Sequence, residues 1–313
     1  MLAQGQKALS DQAGDCPICG TRLDPRPVDT QGVSKLYPCP ACAVQVWRPT
    51  ENPGSVWYDE SSHYLSKTIV DWLGWHHSYG LRSIPPGAKT LLDVGTADGR
   101  FVYAAAARGI DATGIDFSAR LVRDGNLRYG GDRLRCETLE EHRRLLATAY
   151  DVVTLFDTVE HVEDPLGLLR GVVEVTRSGG TVIVSTLNRD GRPRPPRELD
   201  APPHHLTRWN ADALRELGRR AGLERLEVAV CPPAVAIKAL LLTKFRLNLV
   251  VRLMRRRAAE AQAPGSLSPS GNGDLHALIR AKDLVAEGIA NVVSPFMRGR
   301  YPGYSMVLIG RRP

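Results

Sequence analysis

The sequence predicts an α/β fold: a mainly parallel sheet of seven strands with helices on both faces, behind a small cysteine-rich N-terminal ribbon. Three observations predict it. The stretch Thr90 to Asp116 reads as strand, tight small-residue turn, Ala-rich helix and second strand, each strand carrying an acid at or near its end. Short apolar runs then alternate with helical-period segments, which implies parallel strands joined by crossover helices. Two C-x-x-C pairs, Cys16/Cys19 and Cys39/Cys42, stand upstream with 19 residues between them.

In chain order, strands are expected at 90–94, 111–116, 132–136, 151–156, 181–187, 224–231 and 304–310. Helices are expected at 99–108, 118–128, 138–147, 164–177 and 210–221. Glycines at the first turn let backbone approach a ligand where a Cβ would clash. A carboxylate at the tip of the second strand, Asp116, is placed to accept hydrogen bonds from ribose hydroxyls.

The turn departs from the dinucleotide pattern G-x-G-x-x-G. Gly95-Thr96-Ala97-Asp98-Gly99 keeps glycine at its first and fifth positions and holds an acid inside. An added carboxylate suits a cationic ligand better than a pyrophosphate. Here the chain resembles the class I S-adenosylmethionine (SAM) dependent methyltransferases, whose first motif is acid-x-G-x-G-x-G. Asp93, Gly95, Ala97 and Gly99 fall on it, with Ala97 in place of the middle glycine.

The resemblance continues downstream. Tyr150 to Asp157 looks like the family's fourth strand, and Glu160-His161-Val162-Glu163-Asp164-Pro165 resembles the EHV-x-DP signature of the ubiquinone-biosynthesis O-methyltransferase branch. Gly179 to Thr186 matches the glycine turn and fifth strand. Pro202-Pro203-His204-His205-Leu206 and Ala221-Gly222-Leu223 complete a series covering about residues 88–231. The resemblance implies a Rossmann-like fold and SAM as cofactor. It also implies that Asp93, Gly95, Thr96, Ala97 and Gly99 line the methionine end. Asp116 would hold the ribose, and Phe117 would flank the adenine. Glu137 and Thr138 would reach the adenine amine, while Phe156 and Asp157 would border the sulfonium.

Four thiolates at the observed spacing can close a tetrahedron around a structural zinc ion, leaving no open position for catalysis. Two disulfides or a redox C-x-x-C are the competing readings. A reducing compartment disfavours the first, and the presence of two knuckles disfavours the second. Cys16, Cys19, Cys39 and Cys42 are therefore the expected zinc ligands. Cys136 and Cys231 fall in expected strands and read as small buried apolar residues.

At 313 residues, with 43% apolar and 24% charged residues, the chain can bury one large core plus an accessory module. The expected organisation is a flexible tail (1–14), the zinc ribbon (15–50), a helical cap or linker (51–87) and the SAM-binding core (88–231). A helical insertion (232–303) and the last core strand (304–313) follow. The cap holds an aromatic helix from Tyr64 to Tyr79 with Trp72, Trp75, His76 and His77, which reads most simply as a stripe packed on the core.

Within the insertion, 234–257 reads as a basic amphipathic helix: a lid, a dimer face or a membrane-surface element. Residues 260–273 read as a linker. The N-terminus lacks a signal-peptide layout, and no uncharged apolar run reaches the ~20 residues of a membrane span. A cytoplasmic protein is expected.

His161, His204 and His205 are the acid–base candidates, because an imidazole titrating near pH ~6.5 suits proton removal near neutrality. His161 is expected to start the helix beyond the fourth strand. The run Asp157-x-x-Glu160-His161 also looks like the E-x-x-E-H of small-RNA 2′-O-methyltransferases, implying a divalent ion held by Asp157, Glu160, His161 and His204 or His205. Arg189, Arg192, Arg194 and Arg197 stand near the expected acceptor mouth, as anion binders or as a solvated loop.

The function expected is SAM-dependent O-methylation of a small-molecule or sugar-conjugate hydroxyl in biosynthesis. The alternatives are an RNA methyltransferase, consistent with the ribbon and a net charge of +7, and a non-catalytic SAM-binding or zinc scaffold.

Overall fold

The computed structural model describes residues 13–61, 73–145, 149–238, 241, 286–297 and 303–313. They belong to two compact units: Met1–Arg189 with Pro195–Val230 and Ser305–Pro313, and Asp190–Arg194 with Cys231–Tyr304.

The first unit is built on a seven-stranded sheet. Its strands are β4 (Thr90–Val94), β5 (Asp111–Asp116), β6 (Leu134–Cys136), β7 (Tyr150–Phe156), β8 (Thr176–Leu187), β10 (Glu224–Val230) and β11 (Ser305–Arg311), in the order β10-β11-β8-β7-β4-β5-β6. The five strands from β8 to β6 run parallel, while β11 pairs antiparallel with both β8 and β10. Parallel strands covered on both faces require continuous apolar runs, and all seven residues of β7 are buried. Alternation then sorts the side chains. Leu91, Val152, Ile183 and Val307 join one core cluster, and Leu92, Val153, Val182 and Leu308 join another.

Strand positions agree with the sequence reading, with two differences. β8 begins at Thr176, directly after its helix, and a register irregularity between Tyr150 and Val152 absorbs the extra length. β6 is shortened to three residues.

The crossover helices have readable starts. Ser118 caps Ala119–Tyr129 by accepting from Leu121 N at 3.1 Å. Asp164 caps Pro165–Val175 by accepting from Gly167 N at 2.8 Å, with Pro165 in the first turn. His161 therefore lies in a turn before this helix and does not start it, because the Asp-Pro pair places the start later. Two further helices, Ser55–Glu60 and Trp75–Ser83, precede the sheet. The aromatic segment expected to be helical from Tyr64 begins its described helix only after Gly74; residues 62–72 lie outside the described residues.

The cysteine ribbon supplies β1 (Asp29–Gln31), β2 (Ser34–Pro38) and β3 (Gln45–Arg48) to an antiparallel sheet. Its fourth strand, β9 (Thr207–Arg208), comes from the segment after β8. Ile18, Leu23, Tyr37, Val44 and Val46 share the cluster that holds Leu92 and Val153. The ribbon is thus welded to the sheet by backbone pairing and by a common core.

In the second unit, residues 233–238 and 286–293 are helical, and Lys238 pairs with Glu287 at 2.6 Å. Residues 239–240 and 242–257 of the expected amphipathic helix, and the expected linker 260–273, lie outside the described residues. No helix among the described residues is long and apolar enough to cross a membrane.

Candidate functional site

The β4–β5 end of the sheet carries the turn singled out by sequence. Gly95 N and Thr96 N both donate to Ile115 O, at 2.9 and 3.0 Å, which folds the turn back over β5. Gly95, Ala97 and Gly99 all have left-handed backbone, with φ of 73°, 51° and 74°. At Gly99 a Cβ would also lie 2.5 Å from Leu134, so glycine is required there twice over.

Two buried acids brace the turn. Asp93 accepts from Thr154 Oγ1 at 2.6 Å and from Thr96 Oγ1 at 2.8 Å. Burial pushes its carboxyl up to about 7 despite these bonds. Asp116 accepts from Ala97 N and from Ser118 N, each at 2.9 Å, and burial raises it as well. Phe117 is 40% exposed and edge-on to Tyr58, with ring centroids 5.3 Å apart. Asp59, on the same short helix as Tyr58, is bonded by Ser118 Oγ, and its carbonyl accepts from Arg120 at 3.0 Å. The Ser55–Glu60 helix is therefore tied to the tip of β5.

Beyond β7 lies a second group of candidate side chains. Glu160, His161 and His205 each offer a ligand atom, and these atoms lie within 4.8 Å of one another. His161 Nδ1 donates to His204 O. A carbonyl only accepts, so in the neutral ring the lone pair resides on Nε2. His205 Nδ1 donates to Asp200 Oδ1 at 3.3 Å, with the same consequence. The His161 and His205 rings sit edge-on at 4.9 Å, and Tyr58 approaches His161 at 6.2 Å. Aromatic contacts thus run from Phe117 through Tyr58 and His161 to His205.

A family model described as a methyltransferase domain matches residues 67–228, more than half of the chain. The chain belongs to the methyltransferase-domain family. Among curated relatives, a ubiquinone biosynthesis O-methyltransferase from Erwinia tasmaniensis is 30% identical over 151 residues, covering 45% of this chain and 60% of the relative. The enzyme of the same name from Aeromonas salmonicida is 33% identical over 145 residues, covering 44% and 58%. The chain spans about half of the length of the curated relatives it matches, from 45% to 60%. Among solved structures, Haemonchus contortus phosphoethanolamine N-methyltransferase 2 with phosphomonomethylethanolamine and S-adenosylhomocysteine aligns at TM-score 0.55 and 15% identity. That alignment covers 86% of this chain and 62% of the other. It establishes a shared fold.

Several residues of the chain stand differently from the sequence reading. Asp98, expected to favour a cationic ligand, is bonded by Arg100 Nε at 2.9 Å and by Arg100 Nη2 at 2.7 Å, with Arg128 at 3.7 Å. Its charge is met by the protein. Glu137 Oε1 is held by His142 Nδ1 at 2.7 Å, and Thr138 forms a reciprocal cap with Glu141. These bonds anchor the start of the helix after β6.

Asp157 is absent from the metal-competent group around Glu160. With φ 50° it turns toward Ser185, whose Oγ donates at 2.8 Å, and toward His76 Nε2 at 3.6 Å. His204 contributes its carbonyl to His161, while its ring stacks edge-on to Trp57 at 4.9 Å.

Two of the four arginines read as anion binders or as a solvated loop bond the ribbon. Arg197 bonds Asp29 and Thr30 O, and Arg189 bonds Ala43 O, all in the ribbon. Cys136 is exposed at the end of β6 where a buried residue was expected; Cys231 is buried.

His76, read in the sequence only as part of an aromatic stripe, reaches the tip of β7. With His77 it packs on Phe156, which places it beside Asp157 at the tip of β7.

The four ribbon thiols fit a metal. Cys16 and Cys42 Sγ lie 3.5 Å apart, and Cys19 and Cys39 Sγ lie 3.4 Å apart. Tetrahedral Zn–S bonds of ~2.3 Å need about 3.8 Å between sulfurs. Backbone N–H groups of Ile18 and Cys42 point at Cys16 and Cys39 Sγ, a second shell that would stabilise thiolates.

Proposed function

We propose that this methyltransferase transfers the methyl group of SAM to a hydroxyl of a small molecule or sugar conjugate in a biosynthetic pathway. One observation carries the reading. The acid-braced turn Asp93–Gly99 and Asp116 stand at one end of a chain of aromatic contacts whose other end is a pair of imidazoles with basic Nε2 atoms. In this reading the cofactor turn and an acceptor-side base would be neighbours. The O-methyltransferase names of the curated relatives support oxygen as the accepting atom.

SAM would supply an activated methyl on a positively charged sulfur, with a neutral thioether as leaving group. Asp93, Gly95, Thr96, Ala97 and Gly99 would receive the methionine end, Asp116 the ribose, and Phe117 the adenine face. Phe156 and Asp157 would border the sulfonium. Tyr58 and Trp57 would keep water from the mouth. Nε2 of His205 or His161 would take the proton that the acceptor hydroxyl gives up on methylation. Cys16, Cys19, Cys39 and Cys42 would hold one structural zinc.

A second reading has its own observation. Glu160, His161 and His205 could hold a divalent cation against the acceptor hydroxyl, since their donor atoms cluster within 4.8 Å. Manganese titration followed by electron paramagnetic resonance tests it: a bound signal abolished by His205→Gln supports the ion, and only free manganese rejects it.

The main reading is tested by incubating the protein with methyl-labelled SAM and cell extract, then characterising the labelled product. A methyl ether of a small molecule is expected. Label on nitrogen, carbon or RNA, or no transfer from any extract, would overturn it.

A further inference from the structure

The ribbon does more than flank the core, because its sheet borrows β9 from the segment that carries His205. Val46 and Gln45 pair with Thr207 and Arg208, and Trp47 N donates to Leu206 O at 2.9 Å. On the opposite side, Leu206 N donates to Glu160 O at 2.8 Å. The residues after His205 are therefore clamped between a ribbon strand and the turn beyond β7.

A side-chain relay follows the same route. Asp29 in β1 accepts from Arg208 Nη1 at 3.0 Å. The Arg208 guanidinium lies 5.1 Å over the ring of Trp47, which is fully buried. It grips Asp200 through both backbone and side chain: Nε and Nη2 donate to the carbonyl at 3.1 and 2.9 Å, and Nε lies 2.8 Å from Oδ2. The other carboxylate oxygen, Oδ1, receives His205 Nδ1–H at 3.3 Å.

We propose that Asp29, Arg208 and Asp200 are positioning residues through which the ribbon fixes His205 in its Nδ1–H form, leaving Nε2 as the ring's base. The inference rests on the reading of His205 as an acceptor-side base. An exposed ion pair would hold nothing in place, but this one is partly buried, forked and shared among four residues. Arg208 and Asp200 side chains are only 14% and 19% exposed. A carboxylate behind an imidazole selects which ring nitrogen carries the proton, and the isosteric amide reverses that selection while preserving geometry. Arg208 is the only described side chain that bonds both Asp29 and Asp200 in this way. Sequence alone could not reveal it, since Asp29 and Arg208 are 179 residues apart.

The test uses the full zinc-loaded chain with ¹⁵N-labelled histidine, observed at a pH where imidazoles are neutral, and needs no acceptor. His205 resonances are assigned by their disappearance in His205→Gln. His142, fixed between Glu137 and Tyr150, reports that the core is intact. The wild type is expected to carry the His205 proton on Nδ1, and Asp200→Asn to move it to Nε2. Arg208→Gln is expected to give a mixture of both forms, and Asp29→Asn a smaller shift in the same direction. A wild-type proton on Nε2, or an unmoved proton in Asp200→Asn, would overturn the relay. An unchanged spectrum in Arg208→Gln would overturn the ribbon's part in it. Absence of methyl transfer alongside the expected tautomers would instead count against His205 as a base, and leave the relay standing.

Discussion

The Ala97 backbone N–H donates to Asp116 Oδ2 at 2.9 Å, so the turn after β4 is fastened to the tip of β5 by the same carboxylate expected to hold a ribose. The bond links two strand ends that the sequence separates by a whole helix. It also gives Ala97 a reason to accept φ 51°.

Backbone demand at the turn can be read by substitution. Gly99→Ala should destabilise the protein by about 2–5 kcal/mol, combining left-handed strain with overpacking against Leu134. Ala97→Gly should change stability by less than about 1 kcal/mol, because relief of strain offsets the added chain entropy. Urea denaturation of the two variants checks both.

Asp93 couples the cleft to pH. Its carboxyl, at about 7 in the fold, lies well above its ordinary value, so from about pH 4 to 7 the folded state holds more protons than the unfolded chain. Stability from this group therefore falls as pH rises through that window, by an amount on the order of a few kcal/mol. A cationic ligand should favour the carboxylate. SAM binding near pH 7 is expected to release a proton and to tighten as pH rises from 6 to 8, measurable by calorimetry in buffers of different ionisation heat.

His77 opposes this trend at lower pH. Its Nδ1 is sealed from solvent, and burial beside His76 holds the ring well below the ordinary imidazole range. The unfolded chain binds the extra proton below about pH 6.5, so stability from this group is lost as pH falls. His77→Phe should flatten the acid limb of the stability profile. An unchanged limb in urea midpoints from pH 7 to 5 would count against it.

The ribbon makes its own prediction. About one zinc per chain should copurify with reduced protein and be lost when Cys16 and Cys39 are both changed to Ser. Because β3 pairs with β9, amides around Thr207 and Arg208 should then exchange faster. Metal analysis and hydrogen exchange read the two effects separately.

The sheet was legible because parallel strands are short apolar runs bounded by turn residues, and β4, β5 and β7 lie within one residue of their expected limits. The cysteine cluster was legible because each C-x-x-C pair is local and a single chain return brings the two pairs together. The helix start at Asp164-Pro165 and the Thr138-x-x-Glu141 cap were also written in the sequence, and the first leaves His161 ahead of its helix. What remained hidden depends on chain returns. β9 is two residues long and pairs across more than 150 positions, and His76 meets Asp157 only once a helix lies on the sheet.

The most direct test of the SAM cleft is calorimetric titration of SAM into the wild type and Asp116→Ala, each with its fold verified by circular dichroism. One SAM per wild-type chain and no detectable binding to the variant are predicted. Equal affinity in the two proteins, or no binding to the wild type, would contradict the account.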